Sequence, residues 1–108
     1  MSKDAIAIEQ LSAAGADLKA PHTVLHYIYM PFRESAALVA RELSQRGFQI
    51  EERLGADNMN WLVLATHQIV VSEANMSSIR RDMEALVEQN GGGEYDGWEA
   101  AVRPANLN

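Results

Sequence analysis

The chain has 108 residues, and its 15 acidic against 9 basic side chains give a formal net charge of −6. This length suits one domain, here expected to span residues 1–108, and the absence of cysteine excludes disulfides, a thiolate nucleophile and Cys-ligated metal sites. The acidic balance disfavours direct binding to nucleic acid, while the lack of a leader-like or long apolar segment predicts a cytoplasmic protein without a membrane span.

The hydrophobic pattern predicts three helices and four strands. Helices are indicated where apolar side chains recur at spacings of three and four, and strands where β-branched and aromatic residues cluster or alternate with polar ones. Glycines are placed to end each helix. In chain order, the predicted elements are a helix over 3–14, a strand over 24–30, a helix over 32–46, an edge strand from residue 48, a central strand over 60–71, a helix over 72–90 and a strand over 95–102, before a tail that is expected to fray after Pro104.

The order of these elements predicts an α+β fold. After the N-terminal helix the order is βαββαβ, which is typical of a ferredoxin-like domain with two helices on one face of a four-stranded antiparallel sheet, its core over about residues 22–103. Right-handed crossovers place the first and third strands in the middle of this sheet. Period-two alternation puts Tyr27 and Tyr29 on one face of the first strand and His26 on the other. The fold hosts enzymes, metal carriers, RNA binders and regulatory modules, so it does not decide the function.

Three histidines are the candidates for metal binding or acid–base chemistry. His26 and His67 lie on the two strands expected to pair centrally, where they can face each other, and His22 lies in the loop before the first strand and can approach them. A metal site needs three or four converging ligands, and two neutral imidazoles without a nearby carboxylate do not supply them. Structural polar positions are the favoured interpretation, and we predict neither a metal nor a cofactor.

The last strand follows three glycines and carries the carboxylates Glu94, Asp96 and Glu99. The glycines follow a helix and lack the Lys-Ser/Thr ending of a P-loop, which indicates a helix end and not a phosphate site. Because side chains alternate along a strand, Asp96 is expected to point away from Glu94 and Glu99, so that the three form no single cluster. No catalytic residue is predicted, since the sequence contains no nucleophile elbow, HExxH motif or dinucleotide fingerprint.

The helix over 72–90 has acidic residues on its outer side, interrupted by Arg80 and Arg81. A charged outer side is usually only solvated, and the alternative is a docking surface for a protein partner. The candidate contact residues on this helix are Asp82, Glu84 and Glu88.

Three segments, in the predicted order of elements, resemble one protein family. They are GADLKAPHTVLHYIYMP before and within the first strand, SQRGFQIE between the second helix and second strand, and GGEYDGWEAAV at the last strand. Over about residues 5–102 the chain resembles the regulator of ribonuclease E activity B (RraB) family. The third segment is the most specific, because Tyr95, Asp96, Gly97 and Trp98 match the Tyr-Asp-Gly-Trp of that family. Gly97 within this strand also suggests a bulge or a close backbone approach.

The resemblance implies a ferredoxin-like domain that is not an enzyme. Family members with an assigned role bind ribonuclease E outside its catalytic part and lower its endonuclease activity. An acidic domain is suited to a basic, arginine-rich disordered segment, through either an exposed sheet edge or the acidic outer sides of the helices.

Two alternatives belong to other functional classes. One is a small dimeric α+β-barrel enzyme, in which His26, His67 or Trp61 would line a closed pocket between two sheets. The other is a small-ligand regulatory module with its ligand at a dimer or sheet edge. The sequence is compatible with a monomer and with a homodimer.

Overall fold

The computed structural model describes residues 2–101 and contains the seven predicted elements. Relative to the predicted bounds, the first strand begins two residues earlier, at His22. The last position of the predicted final strand, Val102, and the predicted fraying after Pro104 lie outside the described residues. The elements are α1 (Lys3–Ala13), β1 (His22–Met30), α2 (Arg33–Gln45), β2 (Gln49–Leu54), β3 (Trp61–Ile69), α3 (Glu73–Gln89) and β4 (Glu94–Ala100).

Local sequence sets the ends of the helices. Ser2 precedes α1 and Ser72 precedes α3, and each hydroxyl oxygen accepts a hydrogen bond from a backbone N–H three residues later, at 3.0 and 3.1 Å. After α2, Gly47 adopts a φ of +98°, which is the left-handed conformation that ends many helices. None of the helices within residues 2–101 is long and apolar enough to cross a bilayer.

The four strands form one antiparallel sheet in the order β2-β3-β1-β4. The prediction that the first and third strands occupy the centre is therefore confirmed, and the arrangement is compatible with a ferredoxin-like fold. β1 and β3 pair along their whole length, from His22 opposite Ile69 to Met30 opposite Trp61.

All three helices pack on one face of the sheet. In β1 every second residue from His22 to Met30 is buried, and these side chains face the helices. Beneath α2 and α3, Ile28 and Val63 belong to the main core, while α1 contributes Leu11 to a second cluster with Val24. At about 25 cal/mol per Å² of apolar surface, burial of these side chains is the main stabilising contribution.

The other face of the sheet, which we call the open face, is covered by no helix within residues 2–101. Its centre is an apolar stripe on β1 and β3, and its flanks on β2 and β4 are mostly charged or polar. Three rows of paired residues cross this face, each given in the order β2, β3, β1, β4. The first row is Arg53, Leu62, Tyr29 and Glu94, and the second is Glu51, Leu64, Tyr27 and Gly97. The third is Gln49, Thr66, Leu25 and Glu99.

Candidate functional site

A buried ion pair joins α1 to the rest of the domain. The Asp4 side chain is 5% exposed and accepts two hydrogen bonds from the Arg80 guanidinium, at 3.0 and 2.8 Å. The indole N–H of Trp98 donates a third, at 2.9 Å. These donors, the guanidinium first, hold the pKa of the Asp4 carboxyl below its usual value of 3.8, although burial acts in the opposite direction. The ion pair therefore ties together α1, α3 and β4.

A row of hydrogen-bonded rings continues from this ion pair across the helix-covered side of the sheet. The Arg80 guanidinium lies over the Tyr95 ring, 5.1 Å from its centroid. The Tyr95 hydroxyl is 2.8 Å from Nδ1 of His26, and Nε2 of His26 is 2.9 Å from Nε2 of His67. We call the set Asp4, Arg80, Trp98, Tyr95, His26 and His67 the buried polar chain.

The hydrogen bonds assign the tautomers of the two histidines. Tyr95 is buried, and within residues 2–101 its hydroxyl has Nδ1 of His26 as its only hydrogen-bond partner. We assign the hydroxyl as the donor, because a buried O–H that only accepted would leave its proton without an acceptor. His26 then carries its proton on Nε2, and this N–H donates a hydrogen bond to Nε2 of His67. Burial, followed by the neighbouring charge of His67, lowers the pKa of His26 to about 3. Burial likewise lowers the pKa of His67 and raises that of Tyr95, so all three rings are neutral at pH 7.

The prediction that His26 and His67 face each other is confirmed, whereas His22 is not near them. His22 lies on β1 itself, and four residues of extended chain, about 13 Å, separate it from His26. Its Nδ1 donates to the Ala20 carbonyl oxygen at 2.9 Å. In the part of the chain that the structure describes, no group of three or more His, Asp or Glu side chains is placed to hold a metal ion.

The prediction that Asp96 points away from Glu94 is wrong. Residues two apart on a strand share a face, and both side chains line the same surface depression. Glu99 reaches the open face as well, where it accepts a 2.5 Å hydrogen bond from the Tyr27 hydroxyl. The bulge in β4 explains this, because it adds one residue between Tyr95 and Gly97 and reverses the alternation that follows.

The candidate contact residues on α3 are all exposed, but they do not form one surface. Glu84 and Glu88 are one helical turn apart and share a side of α3. Asp82 is two residues from Glu84 and therefore faces a different side.

A comparison with protein-family models identifies the chain. The model described as "RraB: Regulator of ribonuclease activity B" matches residues 2–100. This chain belongs to the RraB family. A search of curated proteins gave no match.

In this RraB chain the Tyr-Asp-Gly-Trp segment has an architectural explanation. Tyr95 and Trp98 are three residues apart and would lie on opposite faces of a regular strand. The bulge at Asp96 and Gly97 brings both side chains to the helix side, where Tyr95 bonds to His26 and Trp98 to Asp4. The segment therefore builds the buried polar chain, while Asp96 remains exposed on the open face.

We expect Gly97→Ala to lower the free energy of unfolding by about 1.5 kcal/mol, because the φ of +105° at this position is costly for any residue with a Cβ. Sterics contribute little, since an added Cβ would meet only the Arg80 guanidinium, at 4.0 Å. Urea denaturation measures the loss, with Asp96→Ala next to it as the exposed control. An unchanged midpoint for Gly97→Ala would show that β4 does not need this conformation.

Sequence reasoning missed two members of the buried polar chain, Asp4 and Arg80. Asp4 lies in the first turn of a helix, where an acidic residue is common, and Arg80 was assigned with Arg81 to the charged outer side of α3. Their helical positions carried a signal, however. Asp4 is in register with Ile8 and Leu11 on the side of α1 that packs inward, and Arg80 is one turn from Met76 on the buried side of α3.

Proposed function

We propose that this chain is a cytoplasmic, non-catalytic protein that binds ribonuclease E and lowers its endonuclease activity. The observation that carries the proposal is the match of residues 2–100 to a family of regulators of ribonuclease activity. The net charge of −6 supports it, because an acidic domain attracts the basic segments that RNA-processing scaffolds commonly contain.

The position of the perturbed titratable groups also supports a non-catalytic role. His26 is fully buried, with both ring nitrogens hydrogen-bonded to protein side chains, so it offers no nitrogen to a substrate. Tyr95, whose hydroxyl bonds to Nδ1 of His26, is itself buried, and its raised pKa keeps that hydroxyl protonated at neutral pH. These groups satisfy one another within the core, as structural polar networks do.

The dimeric α+β-barrel enzyme receives no comparable support. In such a dimer the cavity lies between two open faces, whereas His26, His67 and Trp61 belong to the helix-covered side of the sheet. Trp61 lies beside Arg33, whose guanidinium is 5.4 Å from the ring centroid. Pairing of two open faces would therefore leave these three side chains outside the cavity.

The test is an RNA cleavage assay with purified ribonuclease E and a fluorogenic single-stranded RNA. We expect the protein to slow cleavage by the whole enzyme, to leave the isolated catalytic part unaffected and to cleave no RNA itself. We also expect binding to weaken at least about tenfold between 0.1 M and 1 M salt, as the Debye length shortens from about 10 Å to about 3 Å.

A basic ribonuclease of unrelated fold serves as the control for non-specific attraction between charges. If it is bound or inhibited as strongly as ribonuclease E, the effect is only electrostatic and the proposal fails. It fails equally if ribonuclease E is neither bound nor slowed.

A further inference from the structure

The open face presents apolar side chains that nothing within residues 2–101 covers. Leu25, Tyr27, Tyr29 and Leu64 are half-buried by their neighbours in the sheet, whereas Leu62 on the same face is only 5% exposed and is already covered by those neighbours. Together they form a continuous stripe along the two central strands. A stripe of this kind, bordered by polar residues, marks an interaction surface in many proteins.

The two flanks of the stripe differ in charge. On β2, Arg53 forms an ion pair with Glu51, so this flank contains its own counter-charge. On β4, Glu94, Asp96 and Glu99 form no salt bridge with any Lys or Arg among the described residues. Among residues 2–101, the β4 side of the open face therefore carries a negative charge without a counter-charge beside the apolar stripe.

A surface depression of about 320 Å³ lies where this acidic flank meets the stripe. Glu94 and Asp96 form one side of it, and the turn between β2 and β3 brings Asp57 to the other. Tyr29 also lines it, and none of the Lys and Arg side chains within residues 2–101 does. Hydrogen bonds from the backbone of Met59 and Asn60 keep the pKa of Asp57 below its usual value, so its carboxylate is charged at neutral pH.

Building on the proposed function, we propose that the open face is the docking surface for an extended, arginine-containing segment of the protein partner. Apolar side chains of that segment contact the Tyr27, Tyr29 and Leu64 stripe, and its guanidinium groups bind the carboxylates of Glu94 and Asp96. A planar guanidinium forms paired hydrogen bonds with carboxylates and stacks on aromatic rings, so it suits a depression that offers both. A disordered segment can extend along such a surface as it binds.

Charge complementarity decides between this occupant and a second copy of the chain. A second copy also has a net charge of −6 and brings its own unbalanced β4 flank. Association of two such molecules is opposed by repulsion, whereas a basic segment is attracted from a distance and loses that attraction at high salt.

Matched pairs of charge-neutralising substitutions test the surface. Glu94→Gln with Asp96→Asn removes two negative charges from the open face, and Glu84→Gln with Glu88→Gln removes two from the outer side of α3. All four residues are exposed, so both variants should fold. We expect the Glu94/Asp96 variant to bind purified ribonuclease E about tenfold more weakly, chiefly because it associates more slowly, and we expect its affinity to depend less on salt. The affinity of the Glu84/Glu88 variant should stay within about twofold of wild type.

A separate variant, Leu64→Gln, tests the apolar part of the surface without a change in charge. We expect this variant also to weaken binding, and to do so at high and at low salt alike. Three results would overturn the proposed surface while leaving the regulator function intact. The Glu94/Asp96 and Glu84/Glu88 variants could lose the same affinity, or only the Glu84/Glu88 variant could lose affinity. The third result is that Leu64→Gln binds with full affinity.

The surface has a test of its own if wild-type protein does not bind ribonuclease E. The probe is then a fluorescent synthetic peptide of alternating Arg and Leu, and binding is measured by anisotropy. Binding that is lost in the Glu94/Asp96 variant and kept in the Glu84/Glu88 variant would support the docking surface after the ribonuclease assignment has failed. The proposed docking surface would be overturned if the peptide does not bind. It would also be overturned if the wild-type protein sediments as a stable dimer that the Leu64→Gln substitution dissociates.

Discussion

Replacing Asp4 by alanine is expected to lower the free energy of unfolding by about 3 kcal/mol, the lower end of the range for removing one partner of a buried ion pair. The substitution leaves the Arg80 guanidinium, whose side chain is only 25% exposed, without its carboxylate. It also removes the acceptor of the Trp98 indole N–H. Urea denaturation at pH 7 measures the loss.

Asp96→Ala provides the matched control for the Asp4 substitution, because it removes a carboxylate that is exposed on the open face. It should change stability by less than about 0.5 kcal/mol. A loss below about 1 kcal/mol for Asp4→Ala would contradict the ion pair as the tie between α1 and the domain.

The Asp4 contribution also has a predicted pH dependence. Its pKa is lowered in the folded protein, so the stability that it adds is present above the unfolded value near 3.8. That stability is lost as the pH falls through the folded pKa. The difference in unfolding free energy between wild type and Asp4→Asn should therefore be constant from pH 7 to about pH 5 and shrink below pH 4.

The parts of the fold that were predictable from sequence are those with a regular period. The alternation in VLHYIYM placed His26 and Tyr27 on opposite faces of the strand without deciding which face the helices cover, and the pairing of β1 with β3 followed from the right-handed crossover rule. Because His26 lies opposite Ala65, whose side chain is small, its ring has space to reach His67 on the diagonal position. The sequence suggested that the two histidines face each other, but not that they bond directly.

The Asp4–Arg80 contact was harder to predict because the two residues are 76 positions apart and each has an ordinary local explanation. A charge on the inward-facing stripe of a helix is costly when it is alone, and the opposite charge on the other helix offsets that cost. The prediction for the orientation of Glu99 failed for another reason. A strand pattern is counted in steps of two, and the one residue that the bulge inserts, Asp96, reverses every later position. Gly97 was the available sign, because a glycine inside a strand often marks a bulge.

Acidification from pH 7.5 to pH 5.0 is expected to remove about 2 kcal/mol of stability through His26 alone, an order-of-magnitude value that follows from its two pKa values. The imidazole stays neutral in the fold down to about pH 3, whereas it takes up a proton near pH 6.5 in the unfolded chain. Between those values the unfolded state binds more protons, so its population rises as the pH falls. Asp4 contributes little in this interval, because its carboxyl is ionised in both states above pH 5.

The His26 effect is isolated by comparison with His26→Gln, which keeps hydrogen-bonding groups in the core but has no proton to gain. We expect the variant to be less stable than wild type at pH 7.5. Between pH 7.5 and pH 5.0, its free energy of unfolding should fall by about 2 kcal/mol less than that of wild type. The ring-proton NMR signal of His26 in the folded protein should not titrate between pH 7.5 and pH 5.0. A titration near pH 6.5 would mean that the ring is solvated, and that the hydrogen bonds from Tyr95 and to His67 do not keep it neutral.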